Sequence, residues 1–89
     1  MTASEARKIA EFNKMKILED LAKTEEFKTN ITSIDYKILA FCELGDLNCL
    51  FNVTEESPIM IDALTYYYRR RGYKVKHINE GREHLRIEW

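Results

Sequence analysis

The chain is poor in residues that break or cross-link structure, and it has no long apolar run. It contains three glycines, one proline and two cysteines in 89 residues. Scarce glycine and proline favour regular helices and strands, and two cysteines are too few for the disulfide framework of a small secreted domain. No apolar run approaches the roughly 20 residues of a membrane-spanning helix, and no signal-peptide core follows Met1. The sequence therefore predicts a cytoplasmic protein with no membrane partner.

What the chain does have is the composition of one small globular domain, which we expect to span residues 1–89. It is 45% hydrophobic and 33% charged, with a formal net charge of -1. A chain of this length buries only about 60 to 65% of its unfolded surface. Self-association that covers apolar flanks would therefore add useful stability.

The first predicted helix is long and apolar on two sides. Thr2 and Glu5 have capping-box spacing, and no glycine or proline interrupts residues 3–27. One helix face collects five apolar residues: Ala6, Ala10, Ile17, Leu18 and Leu21. Phe12 and Met15 lie on the opposite side. Either other elements of the chain cover both sides, or Phe12 and Met15 form an oligomer interface.

A second helix and a strand are predicted next. Thr32 or Ser33 would cap the helix, and Gly45 would end it in a left-handed conformation. The segment from residue 47 to 53 alternates in the manner of a strand with one buried face. Its predicted buried residues are Leu47, Cys49, Phe51 and Val53.

The third predicted helix has the clearest boundaries, from Pro58 to Arg71. Ser57 can cap it, and Gly72 lies just beyond its end. Its predicted core face consists of Ile59, Met60, Ala63, Leu64 and Tyr67. Ile61 and Tyr68 fall on a flank that we expect near the surface, where they would extend the oligomer interface.

The chain closes with a predicted β-hairpin around residues 79–81. The preferred register sets Val75 opposite Ile87 and Lys74 opposite Glu88, because it pairs apolar with apolar and cation with anion. The fold class is therefore α+β in the order α-α-β-α-β-β, with helices packed on a small antiparallel sheet.

The stretch "TYYYRRRGYKVKH" holds four tyrosines and five strong cations in thirteen residues. Arginines at a helix end can simply complement its dipole. A basic patch edged by aromatic rings could instead hold a nucleotide, an RNA loop or another anionic ligand. The candidate ligand or partner residues are Tyr66, Tyr68, Arg69, Arg70, Lys74, Lys76 and Arg86.

No catalytic or metal-binding motif is evident. Cys42, Cys49, His77 and His84 lack the spacings of zinc sites, and we interpret both cysteines as small buried hydrophobes. No phosphate loop or nucleophile–base signature is present. The sequence indicates neither an enzyme nor a bound cofactor.

Two resemblances involve the C-terminal third. The run "ALTYYYRRRGYKVKHINEGREHLRIEW" resembles the recognition helix and wing of winged-helix regulators, which implies nucleic-acid binding. "RGYKV" followed by "LRIEW" resembles the C-terminal pattern of small accessory proteins of tailed bacteriophages. That likeness implies an often oligomeric protein of the host cytoplasm that binds a host protein, a viral protein or a small anionic ligand. The leading hypothesis is this non-enzymatic, homo-oligomeric binding protein, and the alternative is a winged-helix-like nucleic-acid-binding protein.

Overall fold

The computed structural model describes residues 1–89 as three helices and three strands. The elements are α1 (Ala3–Leu21), α2 (Glu25–Glu43), β1 (Asn48–Asn52), α3 (Pro58–Arg70), β2 (Lys74–Glu80) and β3 (Arg82–Glu88). The predicted α+β class and element order are confirmed. No helix is both long enough and apolar enough to cross a bilayer.

Each helix begins at a hydroxyl cap. The side-chain oxygens of Thr2, Thr24 and Ser57 each accept a backbone N–H bond of 3.2 Å from the residue three positions later. Such a bond satisfies one of the amide groups that the first helical turn leaves without a partner. The predicted caps at Thr2 and Ser57 are confirmed.

The cap at Thr24 corrects the prediction of one helix running to Phe27. α1 ends at Leu21, and α2 begins at Glu25. Glu25 and Glu26 lie in the first turn of α2, where carboxylates are stabilised by the positive end of the helix dipole. Thr32 is inside α2, and its hydroxyl donates to the Lys28 carbonyl oxygen at 3.0 Å rather than capping a helix.

The three strands form an antiparallel sheet in the order β1-β3-β2. The hairpin has the predicted register, with Val75 opposite Ile87 and Lys74 opposite Glu88. On the other side of β3, Cys49 is also opposite Ile87. One face of this sheet packs on the helices, because Cys49, Val75 and Ile87 are all buried.

The core is a cluster of fourteen buried hydrophobic residues drawn from all six elements and from Val53 beside β1. Cys49 belongs to it as expected, but Cys42 is exposed, so the interpretation of both cysteines as buried is wrong. Leu47 is also exposed, at 68%, because β1 begins only at Asn48. Gly45 ends α2 with φ of 83°, as predicted.

The buried side of α3 differs from the prediction. Tyr68 and Ile61 are 0% and 5% exposed, whereas Tyr67 is half-buried and Ile59 is exposed. The reason is that α2 covers the flank that carries Tyr68, and the Tyr68 hydroxyl bonds to Asp35 of α2. Ile61 and Tyr68 therefore belong to the core of the chain itself and form no oligomer interface.

α1 is the least covered element of the molecule. Every residue from 3 to 17 is exposed, and Leu18 is the only buried residue of the helix. The molecule is elongated, with extents of 52 × 27 × 25 Å. α1 meets α3 but has no second layer over it, so most of its surface faces solvent.

Candidate interaction surface

Four large apolar side chains of α1 lie exposed to solvent. They are Ile9, Phe12, Met15 and Ile17, with Phe12 exposed at 68%. Phe12 and Met15, the residues expected at an oligomer interface, are both accessible at the surface. Ile17 was expected in the core, but it is 53% exposed because α3 contacts α1 on the side of Leu18 instead.

The exposed side of α1 carries residues at alternating spacings of three and four. We call this set the α1 stripe: the exposed residues Glu5, Lys8, Phe12, Met15 and Glu19 of α1, together with Ala22, the half-buried residue at its C-cap. This is the spacing of the seam along which two helices pack in a coiled coil. Apolar residues occupy the middle of the stripe, and an opposite pair of charges flanks them.

The C-terminal half of α1 is fixed to α3 by one buried residue and two polar contacts. Leu18 is buried in the core. Lys14 Nζ lies 3.5 Å from Oδ2 of Asp62, and the Tyr66 hydroxyl lies 3.9 Å from the Met15 sulfur. These contacts set the direction in which the N-terminal half of the helix continues.

A groove of about 360 Å³ lies between α1 and α3. Seven of its ten lining residues are hydrophobic, so its floor is mainly apolar. Met15 and Glu19 of the α1 stripe form one wall, while Tyr66 and Arg70 belong to the other. The α1 stripe and the groove are therefore one continuous surface.

The basic end of the groove is built from arginines that pack on tyrosine rings. The Arg70 guanidinium lies 5.5 Å from the centre of the Tyr66 ring and donates to the Tyr66 hydroxyl at 3.3 Å. The Arg71 guanidinium lies 3.6 Å from the centre of the Tyr67 ring. No carboxylate forms an ion pair with either arginine, so both keep donors for an anion.

The predicted basic patch does not come together as one surface. Arg69 donates a 2.8 Å hydrogen bond to the Val75 carbonyl oxygen, which joins α3 to β2. Tyr68 is buried, so it cannot contact a ligand at the surface. Of the predicted set, only Tyr66 and Arg70 line the groove.

The remaining cations of that set lie on the outer face of the sheet, which no helix covers. Lys76 is opposite Arg86, and Lys74 is opposite Glu88. Arg86 Nε lies 2.9 Å from Oε1 of Glu88, so these two side chains form an ion pair. Lys74 and Lys76 are both exposed and have no ion-pair partner.

Three tyrosines of the stretch "TYYYRRRGYKVKH" join Phe27 and Trp89 in a chain of edge-on ring contacts through the protein. Successive centroid distances are 5.6, 5.0, 5.6 and 6.5 Å. The rings belong to Phe27, Tyr67, Tyr68, Tyr73 and Trp89. Edge-on pairs are a favourable geometry for aromatic rings. Most of this aromatic content therefore holds α2, α3 and the sheet together.

Burial alters the chemistry of two side chains in the core. It raises the pKa of the Tyr68 hydroxyl far above its ordinary value, and the hydrogen bond to Asp35 adds to the shift. Burial also raises the pKa of the Cys49 thiol, against a smaller opposing effect of Lys37. No three side chains of His, Cys, Asp or Glu lie close enough to form a metal-binding group.

The charged residues Lys8, Glu19 and Arg71 are among the members of this surface that sequence reasoning did not name as candidates. The signal for Lys8 and Glu19 was present as heptad spacing relative to Phe12 and Met15. It was overlooked because the predicted core face was sought among apolar residues alone. Arg71 belongs to the cationic stretch but is absent from the candidate ligand residues.

The chain was compared with protein-family models, with curated proteins and with solved structures, and none of the three comparisons gave a match.

Proposed function

We propose that this chain is a non-enzymatic binding protein that acts as a homo-oligomer and uses α1 as its main contact element. The observation that carries the proposal is Phe12, which is 68% exposed in the middle of the α1 stripe. Burying a phenylalanine contributes about 1.5 to 3 kcal/mol, so leaving one in water forgoes much of that energy.

The surroundings of Phe12 make it part of a larger apolar surface. Ile9 and Met15 are also exposed on α1, and Met15 leads into the groove against α3. Exposed apolar surface that continues over several residues marks interaction sites, whereas single exposed residues are ordinary. A second protein surface is therefore the natural cover for this side of α1.

The groove supports a further part of the proposal, the binding of a small anionic ligand or an acidic segment of a host or viral protein. Arg70 and Arg71 provide guanidinium donors, and Tyr66 provides a ring for stacking. The resemblance of the C-terminal pattern to phage accessory proteins supports a role of this kind.

Sedimentation velocity from about 1 to 100 µM protein tests the self-association. We expect the wild type to gain mass over this range, as a micromolar equilibrium does. Phe12→Ser should shift the equilibrium to monomer, because it removes the largest apolar side chain of the stripe. Tyr36→Ser is the matched control, since Tyr36 is a 76% exposed aromatic residue on α2. A wild type that remains monomeric throughout would refute the proposal.

A second candidate function is nucleic-acid binding by the outer face of the hairpin. Lys74 and Lys76 favour it, because both are exposed and neither is in an ion pair. Fluorescence anisotropy with labelled duplex DNA and RNA would then show log affinity falling with log salt by roughly 0.9 per duplex phosphate contacted. Lys76→Glu should weaken binding for every sequence, and a titration that is flat in salt would eliminate this candidate.

A further inference from the structure

We infer that two copies of this chain pair through antiparallel α1 helices, in the register that sets Phe12 of one copy against Met15 of the other. This inference rests on the proposed self-association and specifies its partner, direction and register. It follows from the order of charged and apolar residues along the α1 stripe.

The spacing of the α1 stripe restricts how a second helix can cover it. Residues at alternating spacings of three and four stay on the side that faces a neighbouring helix. Each such residue then lies opposite one residue of the partner helix, and the two form a layer. α1 has 19 residues and is about 28 Å long. This length is enough for the residues of the stripe to pair with those of a second copy in three kinds of layer, each of which occurs twice. Because α3 contacts the adjacent side at Leu18, the stripe from Glu5 to Glu19 stays exposed, whereas Ala22 is half-buried against the core.

The charges of the stripe exclude a parallel pair. In parallel helices each seam residue meets its own counterpart. Lys8 would then face Lys8 of the partner, and Glu19 would face the partner's Glu19. Like charges placed directly across an interface are repulsive, and they would surround the apolar centre on both sides.

The charges also select one antiparallel register. With Phe12 opposite Met15, the next layer outward sets Lys8 opposite Glu19, and the layer beyond sets Glu5 opposite Ala22. Apolar residues then meet apolar residues in the centre, and an ion pair closes each end. The two-fold axis repeats every one of these contacts.

Other antiparallel registers lose this match. Shifting by one heptad sets Phe12 against Lys8 or Met15 against Glu19, which places a charge on the apolar centre in either case. Centring the pair on Phe12 sets Lys8 against Lys16 and Glu5 against Glu19, so like charges meet. The register is therefore selected both by the favourable contacts of one pairing and by the unfavourable charge contacts of the others.

The groove takes part in the same contact. Met15 and Glu19 belong both to the stripe and to the wall of the groove. A partner Phe12 seated against Met15 therefore lies beside Tyr66, whose hydroxyl already contacts the Met15 sulfur. Each copy thus covers the apolar wall of the other copy's groove, while the ends with Arg70 stay open.

Charge reversal tests the register. Lys8→Glu and Glu19→Lys should each weaken the dimer about tenfold, because each creates two like-charge pairs across the two-fold axis and a tenfold change corresponds to about 1.4 kcal/mol. The double variant Lys8→Glu/Glu19→Lys restores both pairs, and its dissociation constant should return to within about threefold of the wild type. Glu43→Lys, an exposed reversal at the end of α2, is the control and should leave the constant unchanged.

A disulfide measurement fixes the direction independently. In a Cys42→Ala background, the double variant Lys8→Cys/Glu19→Cys should form a covalent dimer under mild oxidation, whereas Lys8→Cys alone should not. Ready cross-linking of Lys8→Cys alone would indicate parallel helices and overturn the inference. The inference would also be overturned if the wild type dimerises but the double charge reversal does not recover the wild-type dissociation constant. That result would leave the proposed self-association intact. A monomeric wild type would refute both.

Discussion

The Tyr68 hydroxyl donates a 2.7 Å hydrogen bond to Oδ1 of Asp35, and in doing so joins α3 to α2. The same oxygen lies 3.3 Å from the Ile31 carbonyl oxygen. Because the Tyr68 side chain is fully buried, this pair of contacts gives its one polar atom partners inside the protein. It also explains why Tyr68 rather than Tyr67 occupies the core.

Substitution of Tyr68 should separate the contribution of its ring from that of its hydroxyl. Tyr68→Phe should lower the free energy of unfolding by about 1 to 2 kcal/mol, because it removes a hydrogen bond to a charged group that can regain water. Tyr68→Ala should cost about 3 to 5 kcal/mol, as truncation of a buried aromatic residue does. Urea unfolding measures both. Tyr67→Ala is the comparison, and a cost equal to that of Tyr68→Ala would contradict the observed burial.

Tyr68 should also make the protein sensitive to alkali. Burial first, and then the hydrogen bond to Asp35, raises the pKa of Tyr68 in the folded state above the value of about 10 expected when unfolded. The folded chain therefore holds this proton more tightly. The resulting stability is complete below pH 10 and is lost as the pH rises above it, by up to about 1.4 kcal/mol per unit.

Urea titrations between pH 8 and 11 check this dependence. The wild type should lose stability more steeply above pH 10 than Tyr68→Phe, which has no hydroxyl to ionise at that position. The other four tyrosines remain in both proteins, so the difference between the two slopes belongs to Tyr68. Parallel slopes would show that its hydroxyl ionises freely in the folded protein.

Arg69 and Arg70 should differ in their effect on stability although they are adjacent and both exposed. Arg69→Ala removes the 2.8 Å hydrogen bond to the Val75 carbonyl oxygen and should lower the free energy of unfolding by about 1 kcal/mol. Arg70→Ala loses only a surface contact with Tyr66 and should change it by less than about 0.5 kcal/mol. Matched urea midpoints for the two variants would refute a structural role for Arg69.

The two cysteines should react at very different rates with a thiol reagent. Cys42 is exposed, whereas Cys49 is buried and burial raises the pKa of its thiol. Since the thiolate is the reactive form, Cys49 should label only when the sheet opens. Mass spectrometry during labelling at pH 7.5 should show one fast addition and one that requires urea. Cys42→Ala should abolish the fast addition and keep the slow one.

The elements with strong local signals were predictable from the sequence. Ser57, Pro58 and Gly72 bound α3 because cap and stop residues act within a few positions of the helix end. The hairpin register was predictable for a similar reason. Only one pairing of β2 with β3 keeps Val75 opposite Ile87 while setting Lys74 opposite Glu88.

The errors arose where contacts between distant elements decide the outcome. Tyr67 and Tyr68 are adjacent on α3, and only the position of α2 determines which of them is buried. The residues that cover α1 are likewise set by the docking of α3 at Leu18, which left Ile17 exposed. The break at Thr24 was a local signal, but the good helix-forming residues on both sides concealed it.

For the candidate surface, the sequence indicated Phe12 and Met15 but not their neighbours. A two-sided apolar helix is visible in the pattern, whereas the groove exists only once Tyr66 and Arg70 of α3 lie beside α1. The basic patch failed for a related reason. Arg69 and Lys76 are close along the chain. Their side chains nevertheless point in different directions, because one lies at the end of a helix and the other on the outer face of a strand.

The ring contact between Tyr73 and Trp89 provides the protein with its own optical reporter. Trp89 is the only tryptophan of the chain, and its backbone N–H donates to the Leu47 carbonyl oxygen at 3.0 Å. Energy transfer from Tyr73 to this single indole is most efficient while the two rings stay close. The fluorescence of Trp89 therefore reports whether the C-terminal end of the chain is in place beside Tyr73. A folding experiment on this protein needs no added label.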